Sequence, residues 1–473
     1  MREDSLLPPN RQCLPFSEFL SALFHAFTEA GLRYCVLRNY EGFPAHNQGR
    51  DIDFMIFPQD LRRALVALKS VQDVRIIGYA ERPFVALVYL DGIAERANDR
   101  ELETDFDLGL TWNGLPFLTT EAVLQAVSPY RADGLDFFVP SPACEAIVKL
   151  LSSLIVAGVI KEKYFCQVQR VFADDRQGVM DALAPQFTLK TATRLVDSVI
   201  DGDRQKILGC VRELRVSLAL QSLLHHPFQS VAKIAGHYSS GFMARLSPRN
   251  QETVCILGPR GCGKTALIEG LLPMLHSAAH LVEGRQFISR STLGDELPEE
   301  VAEAEFKTKG FGHTLASMAK IAPLLLREWK GQFLGKMTLS LSLCESYSCD
   351  LLIDPPSCYS GLPRWYAELV GKLFPSPDLW ILLDPFGEEC QSMEGKTPSA
   401  QALKQMEAYR RFVRTREKYV ILDASQPGAH RTEEAYEAIV KMLEERAGRQ
   451  LEKRFAFRAE ARPAEIRERR ANQ

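Results

Sequence analysis

The stretch Gly258-Pro259-Arg260-Gly261-Cys262-Gly263-Lys264-Thr265 determines how the C-terminal half of this chain is expected to fold. It matches the pattern G-x-x-x-x-G-K-[ST] in full, and it stands between an apolar run, Val254-Cys255-Ile256-Leu257, and a helical segment, 266–275. Glycines let the backbone wrap around a phosphate with its N–H groups pointing inward, and the N-terminus of the following helix adds a partial positive charge. The stretch therefore predicts a nucleotide-phosphate site.

Each part of this loop has an expected role in binding ATP and Mg²⁺. Lys264 is expected to reach the β- and γ-phosphates, and the hydroxyl of Thr265 is expected to hold the metal ion. The remaining six residues, from Gly258 to Gly263, are expected to supply the backbone cradle: Gly258, Pro259, Arg260, Gly261, Cys262 and Gly263.

Around the loop, residues 251–445 alternate short apolar runs with helical stretches. Three further runs are too short to be buried helices and are flanked by Gly, Pro or Asp, which is typical of buried parallel strands: 351–353, 379–383 and 419–422. We therefore expect an α/β domain at 251–445 with helices on both faces of a parallel sheet. The Arg- and Glu-rich end, 446–473, is expected to be a charged tail, solvated or frayed.

The N-terminal half has a different pattern. Residues 16–140 contain one amphipathic helix, 16–30, and several short strands, which predicts an α+β domain. Residues 141–247 are predicted to be nearly all helix, beginning with Pro142 in the first turn, and to form a helical extension or connector.

Two aspartates open one of these strands, in Gly49-Arg50-Asp51-Ile52-Asp53. Strand alternation places Asp51 and Asp53 on the same side, where they repel each other unless a divalent metal lies between them. The later strand Thr104-Asp105-Phe106-Asp107 offers a third carboxylate, from Asp105 or Asp107. Two surface aspartates at a strand edge are the alternative interpretation.

Composition excludes several classes of protein. The 473 residues are 46% hydrophobic and 25% charged with a net charge of −3, which is ordinary for a globular chain and gives no support for a nucleic-acid coat. Eleven cysteines without a CxxC pair predict reduced thiols, and no His or Cys spacing predicts a zinc site. The longest apolar run, 147–160, is too short to span a bilayer, and the polar start of the chain is unlike a signal peptide. We expect a soluble, cytoplasmic protein, and the pattern leaves its oligomeric state open.

Residues 250–445 resemble the thymidylate kinase-like group of P-loop nucleoside monophosphate kinases. Besides the phosphate-binding loop, three stretches carry the resemblance: Glu345-Ser346-Tyr347-Ser348-Cys349-Asp350-Leu351-Leu352-Ile353-Asp354-Pro355, Pro377-Asp378-Leu379-Trp380-Ile381-Leu382-Leu383-Asp384 and Val420-Ile421-Leu422-Asp423-Ala424-Ser425. The resemblance implies phosphoryl transfer from ATP–Mg²⁺ to a nucleotide or other small-molecule phosphate acceptor. It implies catalytic roles for Lys264 and Glu345, and for Asp350 or Asp354 near the acceptor or the metal.

The chain departs from that group in its arginines. The group's D-R pair falls on Glu345-Ser346, and the segment 392–396, in the place of the lid, has only Lys396 as a basic residue. Six arginines elsewhere are possible substitutes, although a solvated helix face is the favoured interpretation of those in 410–416: Arg285, Arg290, Arg410, Arg411, Arg414 and Arg416.

The N-terminal region resembles the nucleotidyltransferase superfamily, through the stretch 34–42 ahead of Asp51-Ile52-Asp53 and through the later stretch 105–114. The resemblance implies metal-dependent nucleotidyl transfer, with the helical region as an extension of the domain. Four residues of that region are candidates to line a nucleotide cleft, although a solvated helix face is favoured: Lys149, Lys161, Lys163 and Tyr164.

Three hypotheses follow. The leading one is a two-module enzyme, a kinase fused to a nucleotidyltransferase-like module, which the resemblance associates with surface-polysaccharide or sugar-nucleotide metabolism. In the second, the kinase module binds ATP without catalysis and acts as a regulatory unit. In the third, the chemistry takes place only at Asp51 and Asp53.

Overall fold

The computed structural model describes most of the chain. The described residues are 13–48, 51–94, 100–246, 251–259, 261–275, 281–286, 321, 323, 325–326, 329, 340–345, 347–353, 363–386 and 400–455. They divide into two compact units: a first unit within Arg11–Gly241 and Leu443–Gln473, and a second unit within Phe242–Met442.

Strands and helices alternate unevenly along residues 13–246. The strands are β1 (Leu14–Pro15), β2 (Tyr34–Val36), β3 (Asp51–Ile56), β4 (Arg75–Arg82), β5 (Val85–Asp91), β6 (Ile93–Ala94), β7 (Glu101–Asp107), β8 (Leu110–Trp112), β9 (Leu115–Leu118), β10 (Val127–Ala132) and β11 (Leu135–Pro140). The helices are α1 (Phe16–Glu29), α2 (Leu61–Ser70), α3 (Thr120–Gln125), α4 (Pro142–Ala157), α5 (Glu162–Asp174), α6 (Arg176–Leu183), α7 (Leu189–Ile200), α8 (Arg204–Gly209), α9 (Val211–His225) and α10 (Pro227–Leu246).

Residues 251–455 add five strands and five helices within the described ranges. The strands are β12 (Gln251–Leu257), β13 (Leu281–Gln286), β14 (Ser340–Glu345), β15 (Leu379–Asp384) and β16 (Tyr419–Asp423). The helices are α11 (Lys264–Met274), α12 (Asp350–Ile353), α13 (Arg364–Leu373), α14 (Ala400–Val413) and α15 (Gly428–Phe455).

The first unit is built on a five-stranded mixed sheet in the order β2-β3-β7-β5-β4. Only the pair β3 and β7 is parallel, and it sets Asp53 opposite Asp105. One face of this sheet is apolar and belongs to a core that includes residues of α1 and α2. The aromatic rings of Phe54 and Phe106 stack there with centroids 5.5 Å apart. Because side chains alternate along a strand, Asp53 and Asp105, which precede these two phenylalanines in the sequence, point to the opposite face.

Helix α1 shows why this face packs well. Its six large apolar side chains recur every three or four residues and are buried, so the helix presents one continuous stripe to the sheet: Phe16, Phe19, Leu20, Leu23, Phe24 and Phe27. Phe27 meets the ring of Phe54 edge-on at 5.4 Å. Buried aromatic side chains of this size dominate the energetics of a core.

The helical region that follows starts with a well-formed cap. The hydroxyl of Ser141 accepts the backbone N–H of Cys144, Pro142 occupies the first turn, and α4 ends at Gly158 in the left-handed region with φ of 68°. Residues of α4–α9 form a second apolar core together with parts of strands β2, β3, β8 and β9. This arrangement places α4 and α5 close to the end of β2 and the loop that follows it.

The second unit is an α/β structure. Its sheet has five parallel strands in the order β13-β14-β12-β15-β16, which agrees with the expected fold class at this level. One expected strand is wrong: residues 351–353 belong to the short helix α12, and β14 takes the place in the sheet. The apolar residues 351–353 were predicted to form a strand, but the carboxylate of Asp350 accepts the backbone N–H of Tyr347 and stabilises a helical turn at this point.

The C-terminal segment differs from the expected charged tail. Helix α15 continues to Phe455, and within it Ala447 and Leu451 are buried in the core of the first unit. Arg454 forms a bidentate pair with Glu81 in that unit, at 2.7 and 2.9 Å. Residues 456–473 lie outside the described residues. Within the described ranges, no helix combines the length and apolar character that crossing a bilayer requires.

Candidate functional site

The predicted phosphate-binding loop, 258–265, lies at the carboxyl end of β12 and leads into α11. Gly258, Gly261 and Gly263 have φ values of 148°, 79° and 93°, and residues other than glycine rarely adopt positive φ values of this kind. A Cβ on Gly258 would lie 2.7 Å from the Sγ of Cys262 and 2.8 Å from the carbonyl oxygen of Leu383. The glycines of the motif are therefore required by the backbone path of the loop itself.

Lys264 closes over this loop. Its Nζ donates to the carbonyl oxygens of Gly258 and Pro259, each at 2.9 Å. These contacts hold the ammonium across the mouth of the loop, and the predicted contact of Lys264 with nucleotide phosphates stays a prediction. Arg260 lies outside the described residues.

Thr265 and Glu345 are brought together by the sheet. The hydroxyl of Thr265 donates to both carboxylate oxygens of Glu345, at 3.0 and 3.1 Å. Glu345 is the last residue of β14, which pairs with β12 in a register that sets it beside Ile256. A hydroxyl and a carboxylate at the mouth of such a loop are oxygen donors of the kind that Mg²⁺ takes alongside phosphates. These two residues therefore fit a magnesium ion.

The other acids predicted for this site have different surroundings. Asp350 is buried, and its carboxylate accepts the backbone N–H of Tyr347 at 3.0 Å and the hydroxyl of Tyr409 at 2.8 Å. These bonds anchor α12 and α14 in the unit, so a catalytic role for Asp350 stays a prediction. Asp354 lies outside the described residues.

Two of the arginines considered as substitutes for the missing kinase arginines contact other residues of the unit. Arg410 donates to the buried carboxylate of Asp384, at 2.6 Å from Nε. The guanidinium of Arg416 lies 4.1 Å from the ring centre of Phe412. Arg411 and Arg414 are exposed, as expected of a solvated face. The segment 392–396, the side chain of Arg285 and Arg290 are outside what the structure describes.

One basic residue near the loop was missed by sequence reasoning. Arg431, in the first turns of α15, has its Nη1 3.5 Å from the carbonyl oxygen of Cys262. No motif marks this arginine. The available signal was topological, because in a parallel sheet the segment after β16 starts at the same edge as the loop after β12.

A cluster of carboxylates lies in the first unit, on the sheet face opposite the aromatic core. Ligand oxygens of Asp51, Asp53 and Asp105 lie within 4.8 Å of one another. The sequence predicted the first two from alternation, and the parallel register of β3 and β7 brings Asp105 opposite Asp53. Asp107 lies two residues further along β7, opposite Met55, and is outside this triad.

Charge in this cluster is poorly compensated. Burial, followed by the neighbouring charges of Glu103 and Asp53, raises the pKa of Asp105 to about 9. Its Oδ1 is buried, with no hydrogen-bond partner among the described residues. Burial and the charge of Asp53 also raise the pKa of Asp107. A divalent metal ion would neutralise these carboxylates and would be a ligand partner for the unpaired Oδ1 of Asp105. The residues present therefore fit a divalent metal ion.

Arg38, which the sequence did not single out, is the cation already present. Its Nε and Nη2 donate to the two oxygens of Asp53, at 2.6 and 2.7 Å. Burial raises the pKa of Asp53, whereas Arg38 and, more weakly, the exposed Lys161 act to lower it. A metal ion held by Asp53 would share that carboxylate with Arg38 or displace it.

The expectation of a solvated face is wrong for two of the four cleft candidates. Lys149 is buried and contacts Glu145, Glu41 and Gln167, at 2.5, 3.1 and 2.9 Å. Tyr164 is also buried and donates its hydroxyl to Asn39 at 2.7 Å. The loop after β2 packs onto α4 and α5 here, which removes both side chains from water. Lys161 and Lys163 are exposed, as expected.

Comparisons with known proteins give remote structural likenesses only. No family model matches the chain, and no curated protein matches it. Thymidylate kinase from Candida albicans matches with 14% identity over 41% of this chain and 93% of that one, at a TM-score of 0.27. A NadR protein in complex with NAD and AMP-PNP matches with 15% identity over 48% of this chain and 57% of that one, also at 0.27. The match to NadR in complex with NR is similar, with 14% identity over 46% and 59% and a TM-score of 0.27.

Proposed function

We propose that the second unit is an ATP-dependent phosphotransferase of the thymidylate kinase-like type. The observation that carries the proposal is the contact between the hydroxyl of Thr265 and the carboxylate of Glu345 at the mouth of a glycine-shaped loop. A chance glycine-rich turn would not require an acid from the neighbouring strand at this position. Phosphoryl transfer needs a phosphate cradle, a lysine and metal-holding oxygens in one place, and these residues supply them.

In this proposal each residue has a stated task. The backbone N–H groups of the loop and the ammonium of Lys264 bind the phosphates, and Thr265 and Glu345 hold Mg²⁺. The bound ion supplies neutralisation of the charge on the transferred phosphoryl group. The acceptor is a nucleotide or another small-molecule phosphate, and Asp350 and Asp354 remain proposed acids near it.

The setting is also part of the proposal. The nine cysteines among the described residues are free thiols, most of them buried. Reduced thiols favour a cytoplasmic location. The role in surface-polysaccharide or sugar-nucleotide metabolism rests on the family resemblance.

Calorimetric titration with ATP–Mg²⁺ tests the binding step, comparing the natural chain with Lys264→Ala and with Lys372→Ala, an exposed lysine of α13. We expect at least a tenfold loss of affinity for Lys264→Ala and none for Lys372→Ala, because only Lys264 lies over the phosphate cradle. Unchanged binding by Lys264→Ala would contradict the proposal.

Transfer of labelled γ-phosphate to a pool of nucleoside monophosphates and sugar phosphates tests the chemical step. Labelled product that is lost in Lys264→Ala supports the kinase. Tight ATP binding by the natural chain, with no labelled product from any acceptor, supports the regulatory alternative instead.

A second candidate function is nucleotidyl transfer by the first unit. It is favoured by the separate observation that Asp51, Asp53 and Asp105 bring oxygens within 4.8 Å of one another, around a buried and unpartnered Oδ1. These three carboxylates would hold Mg²⁺, which when bound activates the attacking oxygen and stabilises the departing pyrophosphate. Lys161, exposed and close enough to influence Asp53, is a proposed phosphate contact.

The corresponding experiment follows transfer from nucleoside triphosphates labelled at the α-phosphate. The variant Asp51→Asn with Asp53→Asn is expected to lose transfer to background, whereas Asp181→Asn, an exposed change in α6, retains it. Transfer that persists in the double variant would exclude this site.

A further inference from the structure

The guanidinium of Arg431 lies directly against the phosphate-binding loop. A Cβ added to Gly263 would be 3.3 Å from its Nη1 and 4.0 Å from its Nη2. The glycine that the motif places before Lys264 therefore leaves room for this arginine as well as for the turn. The two groups meet because β12 and β16 end at the same edge of the parallel sheet.

The bonding of this guanidinium is incomplete. Among the residues that the structure describes, its only hydrogen bond is the 3.5 Å contact from Nη1 to the carbonyl oxygen of Cys262, at the outer limit for such a bond. Its Nε is buried and has no partner there. Within the same ranges, Arg410 has an ion pair with Asp384 and Arg431 has none. A guanidinium carries five donors. The carboxylate of Asp423 is near enough to interact with Arg431, which is the smallest of the causes that lower the pKa of Asp423.

We propose that Arg431 binds the phosphate chain of the nucleotide that the loop holds. This inference rests on the proposed ATP-binding function of the second unit and adds to it the arginine that contacts the ligand. The loop amides and the ammonium of Lys264 are donors that favour an anion, and the carbonyl oxygens of the loop already accept from Lys264 and Arg431. A planar guanidinium fork matches phosphate oxygens in bidentate geometry. Arg431 thereby supplies an arginine, which the stretches 345–346 and 392–396 lack.

Titration with ATP–Mg²⁺ and with ADP tests this inference, using Arg431→Met, Arg431→Lys and the control Arg449→Met. Arg449 is an exposed arginine of the same helix, and it pairs with Glu445 at 3.9 Å. We expect Arg431→Met to weaken both nucleotides about tenfold and Arg431→Lys to weaken them less, since it keeps the charge but loses the fork. The control should bind as the natural chain does.

Thermal unfolding separates ligand binding from a role in bracing the loop. With no nucleotide present, the Tm of both Arg431 variants should equal that of the natural chain, and the rise in Tm on adding ATP should be smaller. A drop in Tm without nucleotide, with Arg431→Lys restoring neither the Tm nor the affinity, would overturn the inference in favour of a brace.

Two other results identify which proposal fails. If the natural chain binds ATP, Lys264→Ala loses it and Arg431→Met binds within twofold of the natural chain, the inference about Arg431 is overturned while the proposed function stands. If neither the natural chain nor any variant binds ATP or ADP, the proposed function itself is overturned, and the inference with it.

Discussion

Asp105 shows how a single residue can conflict with its surroundings. Its carboxyl group is held at a pKa of about 9 because burial and the charges of Glu103 and Asp53 oppose ionisation. The folded chain therefore keeps the proton up to about pH 9, whereas an unfolded aspartate releases it near pH 4. Between these values the folded state binds more protons, so the free energy of unfolding falls as the pH rises.

Replacing the ionisable group should remove this pH dependence. We expect Asp105→Asn to be more stable than the natural chain at neutral pH, with an advantage that grows from about pH 4 to about pH 9. A change of 1 kcal/mol shifts the Tm of a unit of this size by roughly 2–4 °C, so the effect is measurable by circular dichroism.

The exposed change Asp181→Asn serves as the control, and its effect on the Tm should be small. Adding Mg²⁺ should raise the Tm of the natural chain and not that of Asp105→Asn, because the amide is a poor substitute for a metal-binding carboxylate. A Tm difference for Asp105→Asn that stays constant from pH 4 to pH 9 would contradict the raised pKa of Asp105.

At the scale of elements, helices α4 and α5 are tied to the loop that follows β2. Lys149 of α4 joins Glu145 of the same helix, Glu41 of the loop and Gln167 of α5. The hydroxyl of Tyr40 in that loop donates to the other oxygen of Glu145 at 2.7 Å. Arg38 lies in the same loop, so the network holds the segment whose arginine donates to Asp53.

Breaking this network should destabilise the first unit. Removing one partner of a buried charge pair leaves the others uncompensated and typically costs about 3–5 kcal/mol. We expect Lys149→Ala to lower the free energy of unfolding by about 3 kcal/mol, measured by urea denaturation. Lys163→Ala, which removes an exposed lysine 4.4 Å from the ring of Tyr164, should cost no more than about 1 kcal/mol. Equal effects of the two changes would show that burial of Lys149 is not stabilising.

At the scale of the whole molecule, the first unit is assembled from both ends of the chain. The described residues after Leu443, up to Phe455, belong with the N-terminal part of the chain, and Leu451 is fully buried in a core that includes α1. The folded first unit therefore requires residues that are separated from it in sequence by the whole of the second.

This arrangement predicts a distant effect of a C-terminal substitution. Leu451→Ala should destabilise the first unit by about 2–5 kcal/mol, because the buried side chain leaves a cavity. Hydrogen exchange should show faster exchange in α1, more than 400 residues away in sequence. The neighbouring exposed change Lys453→Ala should leave it unaffected. Unchanged exchange in α1 of Leu451→Ala would mean that burial of Leu451 contributes little to the stability of this core.

The sequence by itself determined the features that depend on local backbone geometry. The glycines at 258, 261 and 263 fix the path of the loop after β12, because a short segment can adopt only a few conformations. Together with Lys264 and Thr265 they predict phosphate binding. Alternation along β3 placed Asp51 and Asp53 on one side. The helical pattern of α1 and the capped start of α4 are equally local.

Only the tertiary structure decided which distant residues meet. Strand register sets Asp105 by Asp53 and Glu345 by Thr265, and the return of the chain brings Leu451 into the first core. The same holds for Arg431 beside the loop. The physical reason is that such contacts depend on strand register and on packing across the whole chain. Before register and packing are known, the same apolar or charged residue is compatible with several environments.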